Sequence, residues 1–311
     1  MIESFETISE ALVAYWTSPL TLSIVAVCAA SMGTLLYVFL ANARNAKLRV
    51  SLLTGFYVLT VFFWVYVAAS LFFCITQSNM VAYESEGVRL AAAAAVLVAL
   101  SASSVLSYLV WRFASSRVLR KLAPGPLPAE HRWLQDYVDL LARFEEVRAV
   151  PVLLVAKDDI LAMAVGGRRS AILVSRGLLT LLDHEEAETV VAHELMHLKH
   201  HDAEFKVFSS VFSRILFFDP FSKLFDPAVH REREYLADEM SARSTGKPAA
   251  LASALLKIAN RGSPPRVVVG LSIYGRGRGV FSRYPPLKER IQRLLLLSDL
   301  LDVTGSSPAD R

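Results

Sequence analysis

His193-Glu194-Leu195-Met196-His197 is the stretch that decides how the rest of the chain is read. Residues four apart share one face of a helix, so the two imidazoles point the same way. Two neutral imidazoles at that separation can hold one zinc ion. Glu194, about a third of a turn round, brings its carboxylate to a water on such an ion. This is the minimum equipment for hydrolysing a peptide bond. A charged surface helix can carry the same pentad by chance, so the flanking sequence has to decide.

Upstream, the sequence predicts a helix with a clean start. Asp183 stands at the N-cap and Glu186 follows three residues later, the spacing of a capping box. Ala187, Val191, Leu195 and Leu198 form a core-facing stripe, and His193, Glu194 and His197 fall on a neighbouring face. A buried stripe beside a polar chemical face is what a site-bearing helix requires.

Zinc takes a third protein ligand and leaves a fourth position open. Six residues beyond His197 stands Ala203, so a histidine at that spacing is absent. His200 and His201 continue the same rod, from which a third imidazole reaches back poorly. Downstream, Arg231-Glu232-Arg233-Glu234-Tyr235-Leu236-Ala237-Asp238 places Glu234 and Asp238 on one face. One of these carboxylates can bind the metal while the other orients a ligand imidazole through its ring N–H. The alternation of Arg and Glu would equally suit a salt-bridged surface helix.

The rest of the 311 residues points to a bilayer. Hydrophobic residues make up 54% and mean hydropathy is +0.41, too apolar for an ordinary soluble chain. Three uncharged runs predict transmembrane helices at about 19–42, 52–76 and 90–111, with Pro19 opening the first. Glu3, Glu6 and Glu10, with no basic neighbour, argue against a cleavable signal peptide. Arg44, Lys47 and Arg49 follow the first run, Glu84 and Glu86 the second, and Arg112, Arg117, Arg120 and Lys121 the third. The positive loops stay inside, so the N-terminus is expected outside and everything after Trp111 in the cytoplasm. The net charge is +4, and the basic residues border apolar runs without interleaved aromatics. The expected partner is a lipid bilayer and not nucleic acid. Cys28 and Cys74 lie in apolar runs and build neither a disulfide framework nor a cysteine metal site.

Pro124, Gly125, Pro126 and Pro128 form a stiff spacer, which sets a membrane domain at 1–121 and a globular domain at 122–311. In the second domain a helix is expected over 131–147, with Trp133, Tyr137, Leu140, Leu141 and Phe144 as its stripe. Strands are expected at 150–156, 161–165 and 171–174, the last two joined by a turn at Gly166-Gly167-Arg168-Arg169. A short helical turn at 177–182 follows. Residues 204–224 read as an amphipathic segment lying on the membrane or on the third span, or equally as a core helix. Residues 248–260 and 287–301 read as helices, 261–283 as a basic loop, and 304–311 as a disordered tail.

At these residues the chain resembles the HtpX-like and CAAX-prenyl endopeptidase family of integral membrane zinc metalloproteases. The similarity covers roughly 161–295 and rests on three segments in order. They are Glu186 to His197, Glu234-Tyr235-Leu236-Ala237-Asp238, and Pro285-Pro286-Leu287-Lys288-Glu289-Arg290-Ile291. The resemblance implies a mainly α fold: N-terminal transmembrane helices, then a zincin-like α+β metalloprotease domain with a small β-sheet. It implies one zinc ion on His193, His197 and Glu234, with Asp238 holding a ligand histidine and Glu194 as general base. Two departures stand out. Leu161-Ala162-Met163-Ala164 replaces the family's Asn-Ala-Phe-Ala, and Tyr284 replaces its histidine before Pro-Pro. Tyr284 is then the candidate donor to the oxyanion.

The expected function is a membrane-bound zinc endopeptidase acting on membrane-associated or misfolded proteins. The 161–165 strand would receive the substrate as an added strand. A weaker similarity runs to the membrane β-lactam sensor-transducers, whose H-E-L-x-H-x-x-x-x-D pattern Asp202 completes. That supports an alternative, a sensor whose protease domain cleaves a regulator or itself. A third class, a non-enzymatic scaffold with a structural metal or none, has no use for a base at Glu194.

Overall fold

The computed structural model describes residues 8–41, 46–77, 118–202, 205–206, 220–261 and 284–305, with scattered residues between 93 and 112. The chain divides into two compact units, Met1–Tyr108 and Leu109–Arg311, each described by itself.

The first unit is helical, with α1 at Ile8–Thr17, α2 at Pro19–Ala41 and α3 at Ala46–Gln77. Pro19 opens α2, where its missing N–H is harmless, and the Ser18 hydroxyl oxygen accepts the Thr21 N–H at 3.3 Å. The uncharged run that begins at Ala11 is therefore broken into α1 and α2 rather than forming one rod. Among the described residues one helix, over Thr54–Phe72, is long and apolar enough to cross a membrane, and Pro19–Leu35 is a shorter apolar stretch. Much of the third expected span lies outside the described residues. Buried hydroxyls join the three helices. Tyr15 donates to the Ser70 hydroxyl at 2.9 Å and shares a 3.2 Å hydrogen bond with Tyr66.

The second unit is mainly helical around a small mixed sheet. Its strands are β1 (Gly125–Pro126), β2 (Val152–Val155), β3 (Ala162–Val165) and β4 (Ala171–Ser175), in the order β1-β2-β4-β3. The proline-rich spacer thus contributes β1, which pairs antiparallel with β2; a proline is tolerated there because the strand lies at the edge. β2 and β4 run parallel, and β3 pairs antiparallel with β4. The β3–β4 turn uses Gly167 at φ 93°, a left-handed conformation that suits glycine.

Helix α4 spans Arg132–Phe144. Its buried line is Leu134, Val138, Leu141 and Ala142, while Leu140 and Phe144 of the expected stripe are 68% and 75% exposed. Gln135 explains the rotation. Its amide donates to the Val150 carbonyl at 3.1 Å and accepts the Val152 N–H at 2.6 Å, which pins the face carrying Leu134 and Val138 against the sheet.

Helix α5 (Arg176–Leu181) is capped by the Ser175 hydroxyl. Helix α6 (His184–Lys199) opens on the expected capping box, with Glu186 N–H to Asp183 at 2.9 Å and Asp183 N–H to Glu186 at 3.0 Å. Helices α7 (Pro220–Thr245), α8 (Pro248–Asn260) and α9 (Leu287–Gly305) complete the unit. Residues 220–224 of the expected amphipathic segment belong to α7, and 207–219 lie outside the described residues. So does the basic loop over 262–283. Helix α9 continues through Thr304 and Gly305, which the sequence alone assigns to the tail.

Helix α6 departs from the pattern of one buried stripe. Glu186, Ala187 and every residue from Thr189 to Leu198 are buried. The helix packs against α4, α8, β3 and α7, so both its apolar stripe and its polar face are covered by protein. Covering His193, Glu194 and His197 is costly unless each polar atom finds a partner.

Candidate metal centre

The partners of the two imidazoles come from opposite directions. Helix α6 stops where His201 adopts φ 55°, and the reversal returns Asp202 to His197. The Asp202 carboxylate lies 2.8 Å from His197 Nδ1. On the other side Asp238, from α7, lies 3.1 Å from His193 Nδ1. A carboxylate at Nδ1 holds the proton there and leaves the Nε2 lone pair for a metal. The two Nε2 atoms then face each other, 3.2 Å apart.

Helix α7 carries Asp226, His230, Glu234 and Asp238 at four-residue intervals, all buried. Glu234 faces the imidazole pair. Its Oε2 is 3.5 Å from His193 Nε2, and its Oε1 is 3.5 Å from His197 Nε2. Ligand atoms of His193, His197 and Glu234 lie within 4.8 Å of one another, the group among the described residues that could hold a metal ion. Glu234 Oε2 is buried with no hydrogen-bond partner. Two imidazole nitrogens, one carboxylate oxygen and an orphaned acceptor aimed between them suit a zinc-type ion with a position left open.

Arginines hold the two supporting aspartates. Arg290, on α9, grips Asp238 through Nε at 2.7 Å and Nη2 at 2.6 Å, and its Nη1 lies 3.5 Å from Glu234 Oε2. Arg233, next to Glu234 in the chain, binds Asp202. Each of the two histidines thus has an aspartate behind it and an arginine behind the aspartate.

Burial and charge divide the protonation of this cluster. Burial opposes a charged His193, but the adjacent Asp238 and Glu234 carboxylates outweigh it and raise the group to about 9. Burial, reinforced by Lys206, keeps His197 well below its ordinary value. Burial would raise Glu234, yet above all Lys206 holds it well below the usual carboxylate range. Asp238 is likewise lowered, because Arg290 overcomes its burial.

Glu194 sits beside the imidazoles and is 1% exposed. Its Oε2 accepts the Ala164 N–H at 2.6 Å, which ties it to edge strand β3, and its Oε1 has no hydrogen-bond partner. Burial pushes its carboxyl up to about 7. A group so poised can both take and give a proton near neutrality.

The alternative ligands fall away. His200 Nε2 lies 3.0 Å from the Met240 sulfur, and His201 is exposed at the helix end. Tyr284 stands half-buried before Pro285 and acts electrostatically on Lys206. Lys206, Arg233 and Arg290 are site neighbours to which the sequence alone gives no role. Arg290 belongs to the closing segment quoted above, and Asp202 to the sensor-type pattern. Lys206 carries no signal, since it reads as an interruption of an apolar run.

The family model described as BlaR1 peptidase M56 matches residues 74–292. The protease HtpX homolog of Pyrococcus abyssi is 31% identical over 195 residues, which cover 48% of this chain and 66% of that protein. The homolog from Aquifex aeolicus is 27% identical over 256 residues, covering 66% and 85% respectively. A crystal structure of S. mikatae Ste24p aligns with TM-score 0.43 and 19% identity, covering 64% of this chain and 57% of that one. The family model spans well over half the sequence and takes in the candidate metal centre: the chain belongs to the BlaR1 M56 peptidase family, and it is similar to the HtpX proteases.

Proposed function

We propose that this chain is a zinc endopeptidase that hydrolyses peptide bonds of membrane-associated or misfolded proteins. The convergence of His193, His197 and Glu234 within 4.8 Å, with Glu194 alongside, carries the reading. One zinc ion would be held by the two Nε2 atoms and the Glu234 carboxylate. When bound, zinc supplies a Lewis acid that acidifies water and polarises a carbonyl.

The remaining work belongs to side chains. Glu194 takes the proton of the attacking water at Oε1, the oxygen with no hydrogen-bond partner, and passes it to the leaving amine. Its other oxygen stays on Ala164, so the base is fixed relative to β3. Edge strand β3, the outermost among the described residues, would receive an extended substrate along its outer side beside the Ala164 N–H that Glu194 holds, which suits an enzyme with weak side-chain preference. Asp238 holds His193 in the required tautomer, and Tyr284 is a candidate donor to the oxyanion.

The rest of the reading comes from charge and apolar patterning. Residues 1–121 form the membrane domain with three spans, and 122–311 form the catalytic domain. The loop charges put the N-terminus outside and the catalytic domain in the cytoplasm. The relatives named above are proteases, which favours this reading over a sensor-transducer.

The test is direct. The full-length protein should contain zinc and cleave casein or itself, and a chelator should stop the cleavage. Glu194→Gln should keep the zinc and lose proteolysis by several orders of magnitude. A variant that retains full turnover would remove Glu194 from its role as base.

A further inference from the structure

We propose that Lys206 is a catalytic cation, donating a hydrogen bond to the oxyanion that forms as a peptide carbonyl is attacked at this site. This inference rests on the peptidase reading above.

Lys206 is placed by its surroundings. The Phe205 N–H donates to the His201 carbonyl at 3.2 Å, continuing the turn that follows α6. Arg233, already holding Asp202, lies over the Phe205 ring at 4.0 Å. The His230 ring packs on Phe205 at 5.7 Å. The turn is thus clamped to α7, and its next residue points inward. The Lys206 side chain is 16% exposed, and its Nζ is 3.1 Å from Glu234 Oε1. Its ammonium is ion-paired with the buried Glu234 carboxylate.

A fixed cation beside the metal ligands has little reason to be there for the metal's sake. Like charges repel, and an ammonium against a ligand carboxylate competes for its oxygen. The same charge is useful once negative charge develops on the substrate. The water oxygen bonds to the carbonyl carbon, and the π pair moves to the carbonyl oxygen. The water proton goes to Glu194 Oε1. A Lys206 N–H then faces the new oxyanion and keeps its proton. When the C–N bond breaks, the pair returns to the C=O bond and Glu194 gives its proton to the amine. Tyr284 offers a neutral donor in the same neighbourhood, whereas Lys206 offers a full charge, and charged donors make the stronger bond.

This assignment gives Lys206→Met a signature that a structural role would not produce. In the full-length protein, kcat should fall about 10²–10³-fold, the loss typical of one missing oxyanion donor. KM should stay unchanged, and an anionic phosphonate peptide that mimics the tetrahedral state should lose affinity along with kcat. Zinc, measured by chelator competition, should bind at least as tightly as in the parent. Lys206→Arg should restore part of kcat and of the phosphonate affinity. The proposal is overturned if Lys206→Met keeps kcat, if it loses zinc together with kcat, or if KM rises while kcat stands. Should Lys206→Met fail to fold, Lys206→Arg decides: retained phosphonate binding supports the role, and its loss ends it. Failure of the peptidase reading looks different, because the parent protein would then show no chelator-sensitive cleavage and no phosphonate binding.

Discussion

Two of the buried polar clusters among the described residues are built on opposite terms. In the N-terminal unit, Tyr15, Thr21, Tyr66 and Ser70 are neutral hydroxyls, and Tyr15 bonds both Tyr66 and Ser70. In the C-terminal unit, Glu194, Asp202, Glu234 and Asp238 are carboxylates set against Lys206, Arg233, Arg290 and two imidazoles. A hydroxyl donates and accepts, so a few of them satisfy one another without any charge being balanced. A buried carboxylate accepts alone and needs a cation. The difference predicts that losing one member is mild in the first cluster and severe in the second.

Arg290→Met should break the second cluster most. It leaves Asp238 and Glu234 buried without their guanidinium, which costs about 3–5 kcal/mol when one partner of a buried pair is removed. Thermal unfolding of the full-length protein measures it. The pH dependence should change as well. Asp238 is held below its usual range, so its contribution is complete at neutral pH and is lost as the medium is acidified through and below the ordinary carboxylate range. That acid loss should shrink in Arg290→Met.

Asp202→Asn tests the other support and should be gentler, since the amide keeps the shape. Zinc affinity should fall about 10–100-fold, the usual cost of losing a partner behind a ligand histidine. Chelator competition reports it, and an unchanged affinity would show that Asp202 serves the turn and not the metal.

Tyr15→Phe should give the smallest effect, about 1 kcal/mol for one net hydrogen bond, because Tyr66 and Ser70 remain near each other. If this change destabilises as much as Arg290→Met, charge is not what separates the two clusters.

Much of the site was legible because it is local. His193, Glu194 and His197 lie within one and a bit turns of a helix, and Asp183 and Glu186 cap it by spacing alone. Glu234 and Asp238 were readable as a pair because they too are four apart. The misreadings share a different cause. Leu140 and Phe144 have the spacing of a buried stripe, yet Gln135 docks on the strand backbone and turns them outward. Gly125 and Pro126 read as spacer because nothing local shows that β2 lies alongside to pair with them.

The sequence by itself determined the helices, their caps and the residue types able to hold a metal, since these follow from spacings within a few residues. Tertiary structure decided which groups meet. Arg290 reaches Asp238 across 52 positions, and Lys206 reaches Glu234 across 28. Such pairings follow from how whole helices pack and where the chain turns back. A local pattern fixes which way a side chain points from its own helix, but not what stands on the other side.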